Sequence, residues 1–237
     1  MRQQIGLAVL QLEWQVPTDR HDAFNRWYDY EHLSDMVAVP GFLGGRRFWR
    51  VDDCNFASPS AYQYLTLYQL ESEAPLHTEA FQKHVSDPSP WTRDVAMDLP
   101  LRRSVYQQLR PERGAMTRNG PLDNGGQALG CALLHVTIDA EPECEDEFHG
   151  WYDEEHVPAL VAVPGVLSAR RFLRIDDDGA QDRRFLAVYE LENERVVTTQ
   201  AFLEAGARTP RREKLGDRVT SQVQLYRQVF PVDDQHG

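Results

Sequence analysis

Two glutamate-histidine pairs, Glu31-His32 and Glu155-His156, are the residues of this chain best suited to moving protons. A carboxylate made more basic by an apolar setting can act as an acid or base near neutral pH, and histidine titrates there without help. Both pairs close the same longer string: Trp27-Tyr28-Asp29-Tyr30-Glu31-His32 and Trp151-Tyr152-Asp153-Glu154-Glu155-His156. Each is followed by Pro-Gly (Pro40-Gly41; Pro164-Gly165) and then by Arg-Arg-Phe (Arg46-Arg47-Phe48; Arg170-Arg171-Phe172). At an offset of 124, residues 23–53 and 147–177 are identical at 18 of 31 positions, which points to an internal duplication.

The segments from Asp19 to Met36 and from Pro142 to Leu160 have helical periodicity. At about 100° per residue, Glu31 falls within about 20° of Phe24, in the middle of an aromatic stripe with Trp27 and Tyr28, and His32 falls about 80° away at its edge. The second copy repeats this with Phe148, Trp151, Tyr152, Glu155 and His156. A glutamate so placed is either a desolvated acid or base or one half of an ion pair with Arg46 or Arg47, and with Arg170 or Arg171 in the second copy. His32 and His156, near a helix C-terminus where the dipole favours the protonated ring, are either proton carriers or helix caps.

Other groups could join such a site. His135 replaces Gln11 within an apolar strand and needs a polar partner. Tyr68 and Tyr189, with Tyr28, Tyr152, Trp27 and Trp151, could line a pocket, and the same side chains serve equally as core. His149, Asp153 and His156 fall on one helix face with ligand-type side chains, but the first copy has Asn25, Asp29 and His32 there, so no metal is assigned. A phosphate-binding glycine loop, a GxSxG elbow, an HExxH motif and a dinucleotide fingerprint are all missing from the sequence.

The elements that must carry these residues recur in one order. Strand-like runs (IGLAVLQLEW at 5–14, LGCALLHVTID at 129–139) precede the helices, and small residues lie on one face of each (Gly6 and Ala8; Gly130 and Ala132), suiting close approach by another element. After the Pro-Gly turns come two strands joined by an Asp-rich loop, then a second helix from near Thr78 or Thr199, then a last strand. Each half therefore reads β-α-β-β-α-β, a ferredoxin-like unit in an α+β fold. Residues 1–111 form the first copy, 112–128 a Gly/Asn/Pro-rich linker, 129–231 the second copy and 232–237 a tail. Strands apolar on both faces predict that the two sheets cover one another as an intramolecular pseudo-dimeric barrel.

A formal charge of −12 argues against nucleic acid as a partner. Three cysteines without CxxC spacing fit a reducing compartment, and no run reaches the ~18 apolar residues of a membrane span. The expectation is a cytoplasmic protein.

The Trp-Tyr-x-x-Glu-His string, the Pro-Gly turn and the arginine-bearing second strand resemble the dimeric α/β-barrel superfamily, most closely its EthD-like branch, here as a tandem pair in one chain. The resemblance implies a pocket between helices and sheet in each half, a small-molecule substrate and further homodimerisation as an option. Similar barrels include cofactor-free monooxygenases, polyketide cyclases, isomerases, dehydratases and haem enzymes. The resulting expectation is an enzyme without a cofactor, a lyase, dehydratase, isomerase or cyclase, acting on a small aromatic or polyketide-like molecule. His32 and His156 would move protons, Glu31 and Glu155 would assist, and the arginines would hold an anionic oxygen. The alternatives are a non-catalytic small-molecule-binding or stress-associated barrel, or a cofactor-free monooxygenase. His135 and His149 make the second half the better place for chemistry.

Overall fold

The structure, a computed structural model, describes residues 6–52, 54, 57–112, 115–122, 128–176, 183–207 and 209–230; the side chain of Phe230 is excluded. The second Asp-rich loop from 177, linker residues 123–127 and the tail lie outside this set. The chain forms two compact units: Met1–Arg50 with Pro59–Gln107 and Gln228–Gly237, and Val51–Ser58 with Gln108–Arg227.

In the first unit, β1 (Ala8–Trp14) leads to α1 (His21–Trp27), a π-helical turn (Tyr28–His32) and α2 (Leu33–Val37). Next come β2 (Phe42–Arg50), β3 (Tyr64–Leu70), α3 (Glu79–Ser86), α4 (Pro90–Val95) and β4 (Leu101–Arg110). The strands lie in the order β4-β1-β3-β2, with antiparallel pairs that set Leu10 opposite Tyr68 and Val105, and Gly45 opposite Tyr68. Within the stretch read as linker, β5 (Met116–Thr117) pairs with β6 (Gly120–Pro121).

The second unit repeats the order. It runs through β7 (Ala132–Ala140), α5 (Glu145–Trp151), a π-helical turn (Tyr152–His156), α6 (Val157–Val161), β8 (Val166–Arg174) and β9 (Phe185–Leu191), then α7 (Gln200–Ala205), α8 (Pro210–Leu215) and β10 (Val219–Phe230). The strand order is β10-β7-β9-β8, again antiparallel, and Met116 of β5 pairs with Ala169 of β8.

The small residues before the first strands have a definite cause. A Cβ on Gly6 would lie 1.7 Å from the carbonyl oxygen of Leu70, and one on Gly130 would lie 1.8 Å from that of Leu191. What approaches those strands is backbone. The Pro-Gly turns place Gly41 and Gly165 at φ +91° and +90°, which an L side chain rarely adopts.

The second-unit core packs α5, α6 and α7 on one sheet face, through Phe148, Trp151, Tyr152, Leu160 and Phe202 against Leu134, Val136, Ile138 and Tyr189. Side chains alternate across a strand, so Leu133, His135 and Thr137 point to the other face.

Candidate functional site

The duplicated string forms a π-helical turn in both units, over Tyr28–His32 and Tyr152–His156. An i→i+5 turn holds one residue more than an α turn, so everything after it is displaced by one position. In an α-helix His32 would lie about 140° around the axis from Trp27 at about 100° per residue. Instead it stacks on Trp27, ring centroids 4.5 Å apart at 24°, and His156 stacks on Trp151 at 4.8 Å and 29°. The expected placement is therefore corrected: the histidines join the aromatic stripe and the glutamates leave it.

Glu31 and Glu155 turn towards the start of the last helix in their units. Ser89, the N-cap of α4, donates from Oγ to Glu31 Oε1 at 2.5 Å, and Thr92 Oγ1 donates to the same oxygen at 3.2 Å. The indole N–H of Trp27 donates to Thr92 Oγ1 at 3.0 Å. In the second unit Thr209, the N-cap of α8, accepts from Trp151 Nε1 at 3.1 Å and donates to Glu155 Oε2 at 3.0 Å. Arg211 lies 3.5 Å from Glu155. Each glutamate thus ties the motif to a neighbouring helix cap.

The ion pairs expected for these glutamates fall to another residue of the motif. Arg47 is bonded to Asp29 and donates to Asn25 Oδ1 at 2.7 Å, with its guanidinium 4.3 Å from the Tyr28 ring. Arg171 is bonded to Asp153, lies 2.9 Å from His149 Nδ1 and sits 4.4 Å from the Tyr152 ring. The sequence singled out Asp29 and Asp153 only as members of a metal-type helix face and assigned the arginines to the glutamates instead.

Arg46 and Arg170 emerge on the opposite sheet face. Arg46 donates to Gln228 Oε1 from Nε at 2.8 Å and Nη2 at 2.5 Å; Arg170 does the same to Gln108 Oε1 at 2.8 and 2.6 Å. Burial pushes Arg170 down to about 9, partly offset by Glu190. His135 shares that face, beside Tyr226 at 5.9 Å, and is separated from the helices by its sheet. These three residues are not gathered with the Glu-His motif.

Under the helices of the second unit lies a cavity of about 350 Å³. Its walls are mostly apolar and aromatic: Leu134, Val136 and Ile138 of β7, Phe148, Trp151 and Tyr152 of the motif helix, Leu160, Tyr189, Phe202 and Leu203. Gly206 and Ala207, after α7, leave room where larger side chains would fill it. The polar members of the wall include His156, Arg212, Ser221 and the hydroxyls of Tyr152 and Tyr189, which bond to each other at 3.1 Å. Arg212, Ser221 and Gly206 escaped sequence reasoning because they lie where the two copies diverge.

Electrostatics distinguishes the histidines from the expected protonated caps. Burial, helped by the charges of Arg171 and Arg212, lowers His156 to about 4. Burial, with His84 and Arg47, lowers His32 to about 3. Both rings are neutral at pH 7, so desolvation overrides the helix dipole here. The settings also differ. Both ring nitrogens of His32 are closed off and without a hydrogen-bond partner, with His84 5.7 Å away, whereas His156 borders the cavity. Burial likewise raises the hydroxyls of Tyr28, Tyr68, Tyr152 and Tyr189. Of the metal-type triplet, Asp153 and His149 are both engaged by Arg171, and no group of three or more metal-binding side chains occurs among the described residues. No helix among the described residues is long and apolar enough to cross a membrane.

Antiparallel sheets with helices on one face, and in the second unit an apolar cavity under those helices, define an α+β fold. A family described as a domain of unknown function (DUF4286) matches residues 131–225, and no curated protein matches the chain. Among solved structures it is similar to an anthrone oxidase-like protein, at 14% identity and TM-score 0.61, covering 94% of this chain and 90% of that one. It is also similar to a monooxygenase-like protein of Fusobacterium nucleatum subsp. nucleatum, at 10% identity and TM-score 0.56, covering 94% and 93%. A third is a tryptophan-to-phenylalanine variant of chlorite dismutase from Candidatus Nitrospira defluvii, in complex with cyanide, at 11% identity and TM-score 0.55, covering 92% and 90%. These likenesses establish the architecture.

Proposed function

We propose that the chain is a cofactor-independent enzyme that performs acid/base chemistry on a small aromatic or polyketide-like molecule held in the second unit, with His156 taking the proton. The supporting observation is the apolar, aromatic cavity of about 350 Å³ with a neutral imidazole in its wall. That volume lies within the ~300–1,000 Å³ typical of small-ligand pockets. A neutral imidazole can accept a proton from a phenol or from a carbon beside a carbonyl when the pocket stabilises the developing anion. Isomerisation, cyclisation and elimination all begin that way. The Tyr152–Tyr189 hydroxyl pair supplies a donor on the same wall. Glu155 holds the motif to α8 and stands outside the chemistry.

In this reading the two units are a tandem duplication of a ferredoxin-like, EthD-like module, and the second copy carries the pocket. A second reading, cofactor-free oxygenation, starts from the same proton removal and draws on the names of the anthrone oxidase-like and monooxygenase-like structures.

Deuterium exchange at the ring methylene of anthrone, followed by NMR at pH 7, tests the proposal. The protein should accelerate exchange, and His156→Asn should cut the acceleration by about 100-fold, within the range of a lost general base. Gly206→Leu, which fills the cavity from a backbone of φ −81°, should abolish it. Unaltered exchange in His156→Asn would remove this histidine from the chemistry.

A further inference from the structure

We infer that Tyr152 is the oxygen-binding residue of the second-unit cavity and that the molecule it receives there is a neutral ketone; this rests on the pocket reading above. Tyr152 and Tyr189 both line the cavity, and Tyr189 donates from its hydroxyl to that of Tyr152 at 3.1 Å. A phenolic hydroxyl carries one proton and can both donate and accept. One bond between two hydroxyls therefore uses one of their two protons, and the proton of Tyr152 has no acceptor among the described residues. Burial raises this hydroxyl, so at pH 7 it keeps its proton and offers it only as a hydrogen bond.

The first unit has the same ring arrangement in different surroundings. There Tyr68 donates to Tyr28 at 3.3 Å, and the Tyr28 ring stands 4.8 Å from His32, as Tyr152 stands 4.9 Å from His156. Burial raises Tyr28, and Thr66 and Trp14 are among the polar neighbours that oppose it. The strand registers match: Thr66 lies opposite Leu12 and Trp14 opposite Tyr64, while in the second unit Ala187 lies opposite Val136 and Ile138 opposite Phe185. Two polar neighbours are thus replaced by alkyl groups, and one of these, Ile138, lines the cavity. The second unit keeps the tyrosine pair without the side chains that could satisfy it.

A buried donor without an acceptor is costly, and a ligand that supplies the acceptor recovers the loss. A ketone oxygen accepts and brings no proton of its own. Its neighbouring carbon completes the fit, because His156 lies edge-on to Tyr152 on the same wall, with the two rings at 69°. When that C–H bond breaks, the proton goes to the neutral imidazole, the electron pair forms the C=C bond of an enolate, and the carbonyl π pair moves onto oxygen. The Tyr152 hydrogen bond strengthens as charge gathers on that oxygen. Tyr189 acts at one remove, orienting the Tyr152 hydroxyl.

The test is infrared difference spectroscopy of the full chain with 2-tetralone carrying an isotope-labelled carbonyl, alongside NMR of deuterium exchange at its C1 methylene. The C=O stretch should move to lower wavenumber on binding and return towards its value in hydrocarbon solvent in Tyr152→Phe. It should move less in Ala187→Thr, which places a hydroxyl where the first unit has Thr66. The kcat for exchange should fall about 100-fold in Tyr152→Phe, the scale of one lost oxyanion donor. Binding without a shift, or a shift unchanged in Tyr152→Phe, would overturn the assignment and leave the pocket intact. A ketone that does not bind would overturn both. A shift that depends on Tyr152 without accelerated exchange upholds the ketone site and overturns the proton removal proposed above. Should Tyr152→Phe fail to fold, an undiminished shift in Ala187→Thr would overturn the role of Tyr152.

Discussion

His32 and His156 lie against indoles, and burial keeps both neutral well below the pH at which a free histidine takes a proton. A chain with such groups binds more protons unfolded than folded between about pH 6.5 and pH 4, so its stability is complete above that window and falls as the pH drops through it. Each ring contributes a slope of up to about 1.4 kcal/mol per pH unit. Urea midpoints should therefore decline from pH 7 to 4.5. In His32→Phe, which preserves a ring against Trp27, the decline should be shallower; an unchanged slope would show that His32 titrates normally. The Asp29–Arg47 pair behaves differently. Arg47 is 1% exposed, so Asp29→Asn strands a buried charge and should cost about 3 kcal/mol in chemical unfolding, far more than an exposed pair would.

At the scale of elements, the motif helices show what an α-helical period misses. Buried positions run Phe24, Trp27, Tyr28, then Leu33 and Met36; in the second unit they run Phe148, Trp151, Tyr152, then Val157, Leu160 and Val161. The step of five between Tyr28 and Leu33, and between Tyr152 and Val157, is present in the sequence as a one-residue slip of the apolar pattern. A fixed 100° increment carried across that slip exchanged the surroundings of glutamate and histidine. The helices, strands, Pro-Gly turns and N-cap threonines follow from local residue chemistry. The capping role of Glu31 and Glu155 does not, because their partners Ser89 and Thr209 lie more than fifty residues away. Thr209 joins the cap of α8, the Trp151 indole and the Glu155 carboxylate. Thr209→Val should lose about 1–2 kcal/mol, the scale of a lost N-cap, read as a lower thermal midpoint.

At the scale of the molecule, two units with the same element order and strand order carry different interiors under their helices. In the first, His84 lies beside His32 and the ring nitrogens are sealed. In the second, Ala205, Gly206 and Ala207 occupy that part of the chain, and a cavity opens. The order of helices and strands within each unit was readable because apolar spacing and turn residues dictate it. Whether a cavity opens beside the motif depends on the volume of a few residues in the divergent helix, and spacing says nothing about volume. The shared frame also has intolerant points. Gly130→Ala forces a methyl into the Leu191 carbonyl, so this one-carbon change should leave little folded protein, as judged by circular dichroism, whereas Gly206→Ala meets only ordinary contacts.

One further consequence follows from where the indoles fall. Four of the five tryptophans, Trp14, Trp27, Trp49 and Trp91, belong to the first unit, and Trp151 alone belongs to the second, in the cavity wall. The protein thus carries a single built-in optical reporter at its pocket. A change in emission that survives replacement of the other four by phenylalanine, and vanishes in Trp151→Phe, reads occupancy directly without a label.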